Sequence, residues 1–175
     1  MSNYFFLIVL AFFITACSQS PGTGRMDNTP EKKIRKQVIA IAESYAMDQL
    51  KDVEKSVDGN GIIMVGDKQK SYVIDPAKIF IELIDDDSKK DAIVSIDTYQ
   101  GQYQTVSEHL IIIKSDGKFI LITAIESDMN ILKVNERIVT AEVPTHSRNS
   151  PLFNCPSCRE VINYQFRNGD LIRME

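Results

Sequence analysis

The sequence contains no tryptophan, only 2 histidines and only 3 cysteines among its 175 residues. So few histidines leave a small inventory for general-base or metal chemistry. Lys and Arg (20) are outnumbered by Asp and Glu (24), and this balance lacks the basic surplus of a nucleic-acid-binding protein. The 8 glycines and 6 prolines are too few for a fibrous chain, and a 43% hydrophobic share is too high for a wholly disordered one. The length predicts one folded domain and no nucleic-acid partner.

An uncharged apolar run occupies residues 4–16. A helix that spans the bilayer core needs ~17–25 apolar residues, so this run is short for a permanent span. Its length is typical of the apolar region of a secretory signal. Residues 1–16 are therefore predicted to be a signal peptide.

The run ends in Ile14, Thr15, Ala16 and Cys17, which resembles the lipobox of bacterial lipoproteins. The resemblance implies cleavage before Cys17, diacylglycerol on its sulfur and usually a third chain, such as palmitate, on its amine. Two or three acyl chains hold a protein stably to a membrane. The resemblance thus implies a lipoprotein of the bacterial cell envelope, anchored in the outer membrane facing the periplasm rather than in the inner membrane.

A polar segment, residues 17–28, separates the anchor from the rest of the chain. Its composition is typical of a flexible tether, which leaves residues 29–175 as a single domain. Thr29, Pro30 and Glu31 form a helix-start signal. The apolar spacing that follows predicts one long helix from residue 29 to about Lys55.

Beyond residue 61 the pattern favours strands. Turn residues at 115–117 and at 167–169 predict two hairpins. Residues 130–143 are long enough for one bent strand or for two. Residues 78–84 fit a strand, but Asp75 and Pro76 could also begin a short helix there, and periodicity does not separate these alternatives.

These elements predict an α+β fold, with one long N-terminal helix packed on a curved antiparallel β-sheet. The outline is similar to cystatin-like and NTF2-like folds, as an architectural analogy only. Residues 110–113 and 119–122 are continuously apolar, which predicts strands covered on both faces. The helix would cover one face, and the C-terminal segment, or else a partner protein, would cover the other.

The sequence contains no G-x-G-x-x-G, no P-loop, no H-E-x-x-H and no G-x-S-x-G motif. His109 in a strand and His146 in a polar loop could each act as a base, but neither has a partner at a recognisable spacing, so we predict structural or solvated roles and no catalytic residue. The acidic residues 85–87 and Asp91 offer oxygens that Ca²⁺ prefers. Their spacing does not fit a calcium loop, and nearby lysines offset their charge, so we predict a solvated turn, no metal site and no cofactor.

Cys155 and Cys158 form a C-x-x-C motif, which serves as a disulfide, a redox pair or half of a zinc site, or stays as free thiols. A redox pair would need a helix after the motif, whereas the residues that follow are strand-like. Lipidation of Cys17 would leave these two as the only thiols in an oxidising compartment, which favours a disulfide.

The expected function is a non-enzymatic binding or scaffolding role at the membrane, with an envelope protein as partner. The alternative is an envelope thiol–disulfide or metal-handling protein that uses Cys155 and Cys158.

Overall fold

The computed structural model describes residues 29–153, 155 and 157–175, so Cys17 and the signal-like run lie outside the described residues. The described part contains one helix, α1, and ten strands. Their bounds are α1 Pro30–Asp48, β1 Glu54–Val57, β2 Ile63–Gly66, β3 Lys70–Glu82, β4 Asp91–Gln100, β5 Tyr103–Ser115, β6 Lys118–Ser127, β7 Asn130–Asn135, β8 Ile138–Pro144, β9 Arg159–Arg167 and β10 Asp170–Arg173. Across these residues no helix is long and apolar enough to cross a bilayer.

The strands form two antiparallel sheets. One has six strands in the order β1-β2-β3-β4-β5-β6, and the other has four in the order β10-β9-β8-β7. Helix α1 packs through Val38 on one face of the six-stranded sheet, where Leu110 is buried. The opposite face buries Ile111 against residues of the four-stranded sheet, such as Val139. The domain therefore has three layers, namely helix, large sheet and small sheet.

The predicted α+β fold, a long helix on one curved sheet, is wrong. The described residues are mostly strand, with one short helix and two antiparallel sheets. Strands β7 to β10 do not extend the first sheet but form a second one. The physical reason is that β4 and β5 carry apolar side chains on both faces, so the face away from α1 also had to be covered.

Helix α1 ends at Asp48, not near Lys55 as predicted. The side chains of residues 51–60 are all exposed, so further helical turns would bury nothing. The chain instead forms the edge strand β1, which pairs Glu54 with Gly66 of β2 and so satisfies the backbone hydrogen-bonding groups that face β2.

The possible helix at Asp75 and Pro76 does not form, because these residues lie within β3. The pairing of β3 with β4 is irregular between Ile74 and Ile79, and such an irregularity accommodates a proline that has no N–H to donate. The guanidinium of Arg35 donates to the carbonyl of Pro76 at 2.8 Å, which ties α1 to this point of the strand.

Both predicted hairpins are confirmed. Asp116 and Gly117 have φ values of 48° and 78°, and the second turn, at residues 168–169, has the same left-handed character. A third such turn at Glu136 and Arg137, with φ values of 47° and 70°, divides residues 130–143 into two strands. Because this turn contains no glycine, the sequence carries no signal for it.

The prediction of double coverage is confirmed for β5 and wrong for β6. Residues 110–112 of β5 are buried between α1 and the small sheet, so the C-terminal segment supplies the second layer. Strand β6 lies at the edge of the large sheet, and its Ile120 and Ile122 are 47% and 50% exposed.

Candidate functional site

The face of the large sheet that meets the small sheet changes from apolar to polar along its strands. Pairing places Ile93 opposite Ile111, then Ser95 opposite His109, and then Asp97 opposite Ser107. Ile93 and Ile111 belong to the core between the sheets. The next two pairs are polar, so the two sheets enclose an apolar core at one end and a polar space at the other.

This polar space, the inter-sheet cleft, has a volume of about 820 Å³. Strands β3, β4 and β5 supply one wall, and β7, β8, β9 and the loop before β9 supply the other. Its lining includes Lys78, Ser95, Asp97, Gln104, Ser107, His109, Asp128, Asn130, Glu142, Phe153 and Arg159. Small-molecule sites usually have volumes of roughly 300–1,000 Å³, so the cleft is large enough to bind a small molecule.

A hydrogen-bonded row of three side chains crosses the large sheet at the base of the cleft. Nδ1 of His109 lies 2.9 Å from Oγ of Ser95, and Nε2 lies 3.0 Å from Oγ of Ser127. His109 is fully buried, and this burial lowers its pKa to about 4. The imidazole is therefore neutral near pH 7, so it donates to one serine and accepts from the other.

This row differs from a Ser–His–acid catalytic arrangement. Such an arrangement needs a carboxylate on the second ring nitrogen, and here serine hydroxyls occupy both nitrogens. A general base also works best when its pKa is close to the operating pH, whereas the pKa of His109 is about 4. The row is thus suited to holding the hydroxyls of Ser95 and Ser127 in place rather than to removing a proton from a ligand.

Charged side chains that line the cleft occur in ion pairs. On the large sheet, Nζ of Lys78 lies 2.6 Å from Oδ2 of Asp97, whose other oxygen accepts from Ser107 at 2.9 Å. On the small sheet, Nε of Arg159 lies 3.1 Å from Oε2 of Glu142. Asp128, between β6 and β7, also lines the cleft and pairs with Arg148, which lies outside the lining. Each charge in the lining therefore has an opposite partner, and the walls are dense in hydrogen-bonding groups.

The Arg159–Glu142 pair is incomplete as a hydrogen bond. Although the two atoms are close, the buried Nε–H of Arg159 has no hydrogen-bond partner of acceptable geometry among the described residues. The Nε–H is misaligned with the carboxylate oxygen, so charge attraction holds the pair without a satisfied hydrogen bond at this atom. A buried donor without an aligned acceptor destabilises the folded chain.

A second buried polar cluster lies under α1, on the other face of the large sheet. Glu108 is 3% exposed, and its oxygens accept from Tyr45 at 2.5 Å and from Thr98 at 3.2 Å. Burial and the adjacent carboxylate of Glu108 raise the pKa of Tyr45. Lys70 approaches the same carboxylate at 3.7 Å. Since its members satisfy one another, this cluster is a structural network.

The acidic turn places the carboxylates of Asp85, Asp87 and Asp91 within 4.8 Å of one another. Asp91 is fully buried, which raises its pKa, and it accepts backbone hydrogen bonds from Lys114 at 2.9 Å and from Ile84 at 3.3 Å. Asp87 pairs with Lys89 at 2.8 Å. These contacts give the acids structural roles within the turn.

Cys155 and Cys158 are joined by a disulfide, with their Cα atoms 5.2 Å apart. Strand β9 begins at Arg159, directly after Cys158, so no helix follows the motif. The backbone N–H and the hydroxyl of Thr145 both donate to the carbonyl of Cys158, at 2.9 and 3.0 Å. The disulfide therefore lies where the chain enters the strand that carries Arg159 into the cleft.

The structure places one of the two histidines in the candidate site. His109 lines the cleft, whereas His146 lies in the loop after β8 and outside the cleft lining. Sequence reasoning missed Ser95, Asp97 and Ser127, because the partners of His109 come from neighbouring strands and not from nearby positions. The available signal was the alternation of Ser95 and Asp97 with apolar residues inside an otherwise apolar strand.

Comparisons with protein-family models, with characterised proteins and with solved structures found nothing that matches this chain. The function must therefore be argued from the chain's own sequence and geometry.

Proposed function

We propose that this chain is a lipid-anchored binding protein of the bacterial cell envelope, which takes a polar envelope component into the inter-sheet cleft without transforming it. The observation that carries the binding role is the cleft itself. Its volume of about 820 Å³ suits a ligand, and its walls present paired charges, hydroxyls and amides. The low pKa of His109 and the serine hydroxyls on both of its nitrogens support binding without catalysis.

The proposed location rests on the lipobox-like residues that end at Cys17. Acylation of Cys17 would hold the domain at the membrane, and attachment to the outer membrane would leave the domain facing the periplasm. Cys17→Ser should release the protein from membranes or leave it unprocessed, as measured by fractionation and intact mass. If the wild-type protein is soluble after fractionation, or keeps its first sixteen residues, the proposed lipid anchor is wrong.

Binding in the cleft can be tested by blocking it. Gln104 is exposed at the rim of the cleft, so Gln104→Trp should fill the entrance with little effect on folding. Gln102→Trp is the matched control, because Gln102 is also exposed, lies two residues away and does not line the cleft. An aqueous extract of the cell envelope should raise the melting temperature of the full chain and of Gln102→Trp, but not that of Gln104→Trp. An extract that stabilises all three proteins, or none, would contradict the proposal.

Thiol–disulfide exchange or metal handling by Cys155 and Cys158 remains the competing function. It would need a reactive thiol, which helix N-termini and basic neighbours promote. Strand β9 follows the motif instead, and the two sulfurs are bonded to each other. These observations favour the binding role.

A further inference from the structure

We infer that the inter-sheet cleft binds an uncharged, polyhydroxylated ligand, that is, a saccharide. This inference rests on the proposed binding function and specifies the class of its ligand. It comes from the kinds of hydrogen-bonding groups in the cleft and from the way in which those groups are already paired.

The charged groups in the cleft are donor-only or acceptor-only. Lys78 and Arg159 can only donate, and the ionised Asp97 and Glu142 can only accept. Each donor stands beside an acceptor, at 2.6 Å for Lys78 with Asp97 and at 3.1 Å for Arg159 with Glu142. A ligand group that lies against either pair therefore meets a donor and an acceptor in the same place.

A charged ligand fits this arrangement poorly. A carboxylate or phosphate that approached Arg159 would compete with Glu142, and an ammonium group that approached Asp97 would compete with Lys78. The group left without its partner would be Glu142 in the first case and Lys78 in the second, and these side chains are 35% and 37% exposed. Leaving a charge that is about two-thirds desolvated without a partner is unfavourable.

A hydroxyl group fits because it donates and accepts at once. It can donate to a carboxylate and accept from the neighbouring cation without separating the two. The Nε–H of Arg159 is itself closed to solvent, so a ligand hydroxyl would meet the exposed remainder of the Arg159–Glu142 pair, whose side chains are 29% and 35% exposed. Adjacent hydroxyls on a sugar ring would extend the same contacts to the amide groups of Gln104 and Asn130, which also line the cleft.

The cleft also has apolar surface for the C–H face of a sugar ring. Phe153, Val106 and Met129 contribute to its lining. The volume of about 820 Å³ suits a short oligosaccharide, or a short stretch of a longer glycan.

The test divides the aqueous envelope extract by ion exchange into neutral, anionic and cationic pools. The full chain, Gln104→Trp and the control Gln102→Trp are each heated with each pool. The neutral pool should raise the melting temperature of the full chain and of Gln102→Trp only. Acetylation of the hydroxyls in that pool should abolish the effect, since an ester can no longer donate to Asp97 or Glu142. Dialysis then separates a free oligosaccharide from a polymeric glycan as the source.

A variant gives a readout that is specific to the ion pair. Glu142→Gln leaves Arg159 without its carboxylate, so the neutral pool should lose most of its effect on this variant. Tetragalacturonate, an anionic saccharide, should bind the variant at least tenfold more tightly than it binds the wild-type chain, as measured by calorimetry. An unchanged affinity for tetragalacturonate would overturn the inference.

The failures of the inference and of the proposed function can be distinguished. Stabilisation by a charged pool, or stabilisation that survives acetylation, would overturn the saccharide inference, while the block by Gln104→Trp would still support binding in the cleft. If no pool stabilises the full chain, the binding function falls and the inference falls with it.

Discussion

Ser95 and His109 face each other across β4 and β5, with Oγ of the serine 2.9 Å from Nδ1 of the imidazole. This pair marks the boundary between the apolar core of the sandwich and the polar cleft. The imidazole is fully buried, and its second nitrogen reaches Ser127 on the edge strand β6 at 3.0 Å. A neutral histidine thus joins three strands at the base of the candidate site.

The burial of His109 predicts a loss of stability in mild acid. Its pKa is about 4 in the folded chain, against 6.5 for an unperturbed histidine. Between these values the unfolded chain binds a proton that the folded chain does not, so the free energy of unfolding falls as the pH is lowered from 6.5 to 4. The full effect is about 3 kcal/mol. Urea unfolding at a series of pH values measures it.

His146 provides the control for that experiment. It lies in the loop after β8 and outside the cleft lining, so His146→Gln should reproduce the wild-type pH dependence of stability. His109→Gln should flatten the curve in the same pH window. A His109→Gln curve with the same slope as the wild-type curve in this window would mean that the burial of His109 does not lower its pKa.

The hydrogen bond from Tyr45 to Glu108 predicts a second stability effect. Tyr45→Phe removes a donor that lies 2.5 Å from a carboxylate that is 3% exposed. Hydrogen bonds to buried charged groups contribute ~1.5–3 kcal/mol, so the free energy of unfolding should fall by that amount. Tyr103→Phe is the matched control, because Tyr103 is 81% exposed and the change should lie within ~0.5 kcal/mol. Equal losses in the two variants would exclude a special role for Glu108.

Local signals in the sequence predicted the local structure well. The start of α1 at Pro30 followed from the proline and from Glu31 in the first turn, although Thr29 makes no side-chain capping hydrogen bond. The turns at Asp116 and Asn168 followed from the glycine after each. These features depend on neighbours in the chain, whose preferences act over a few residues. The turn at Glu136 has no such signal, because two ordinary residues adopt its left-handed backbone.

The division into two sheets and the candidate site could not be read in the same way. A strand pattern shows which residues share a face, but not which distant segment covers that face. The contacts of His109 with Ser95 and Ser127 span 14 and 18 residues of sequence. They depend on the register of β4, β5 and β6, including an irregularity between Ile111 and Ile112 that no local residue type announces.

The inner strand β5 and the edge strand β6 of the large sheet predict unequal losses for two isoleucines. Ile111 is fully buried between the sheets, whereas Ile120 on the edge strand is 47% exposed. Ile111→Ala should cost ~2–5 kcal/mol through lost burial and a cavity. Ile120→Ala should cost less than half as much, because water already reaches the side chain. Urea unfolding of both variants is the measurement, and similar losses would show that β6 is covered in solution.

The disulfide between Cys155 and Cys158 predicts a link between thiol oxidation and the cleft. Both cysteines should resist alkylation unless a reductant is present, as measured by intact mass. Two alkylated cysteines without reductant would show that the native pair is reduced.

Removing the disulfide should affect the cleft more than the overall stability. The ring that it closes is short, so the chain-entropy contribution to stability is only ~2 kcal/mol. Its larger effect should be local, because Cys158 directly precedes Arg159 and its carbonyl is held by Thr145 at 2.9 Å. Cys155→Ser with Cys158→Ser should therefore lower the melting temperature slightly but weaken stabilisation by the envelope extract several-fold. Full retention of that stabilisation would show that Arg159 is positioned by β9 alone.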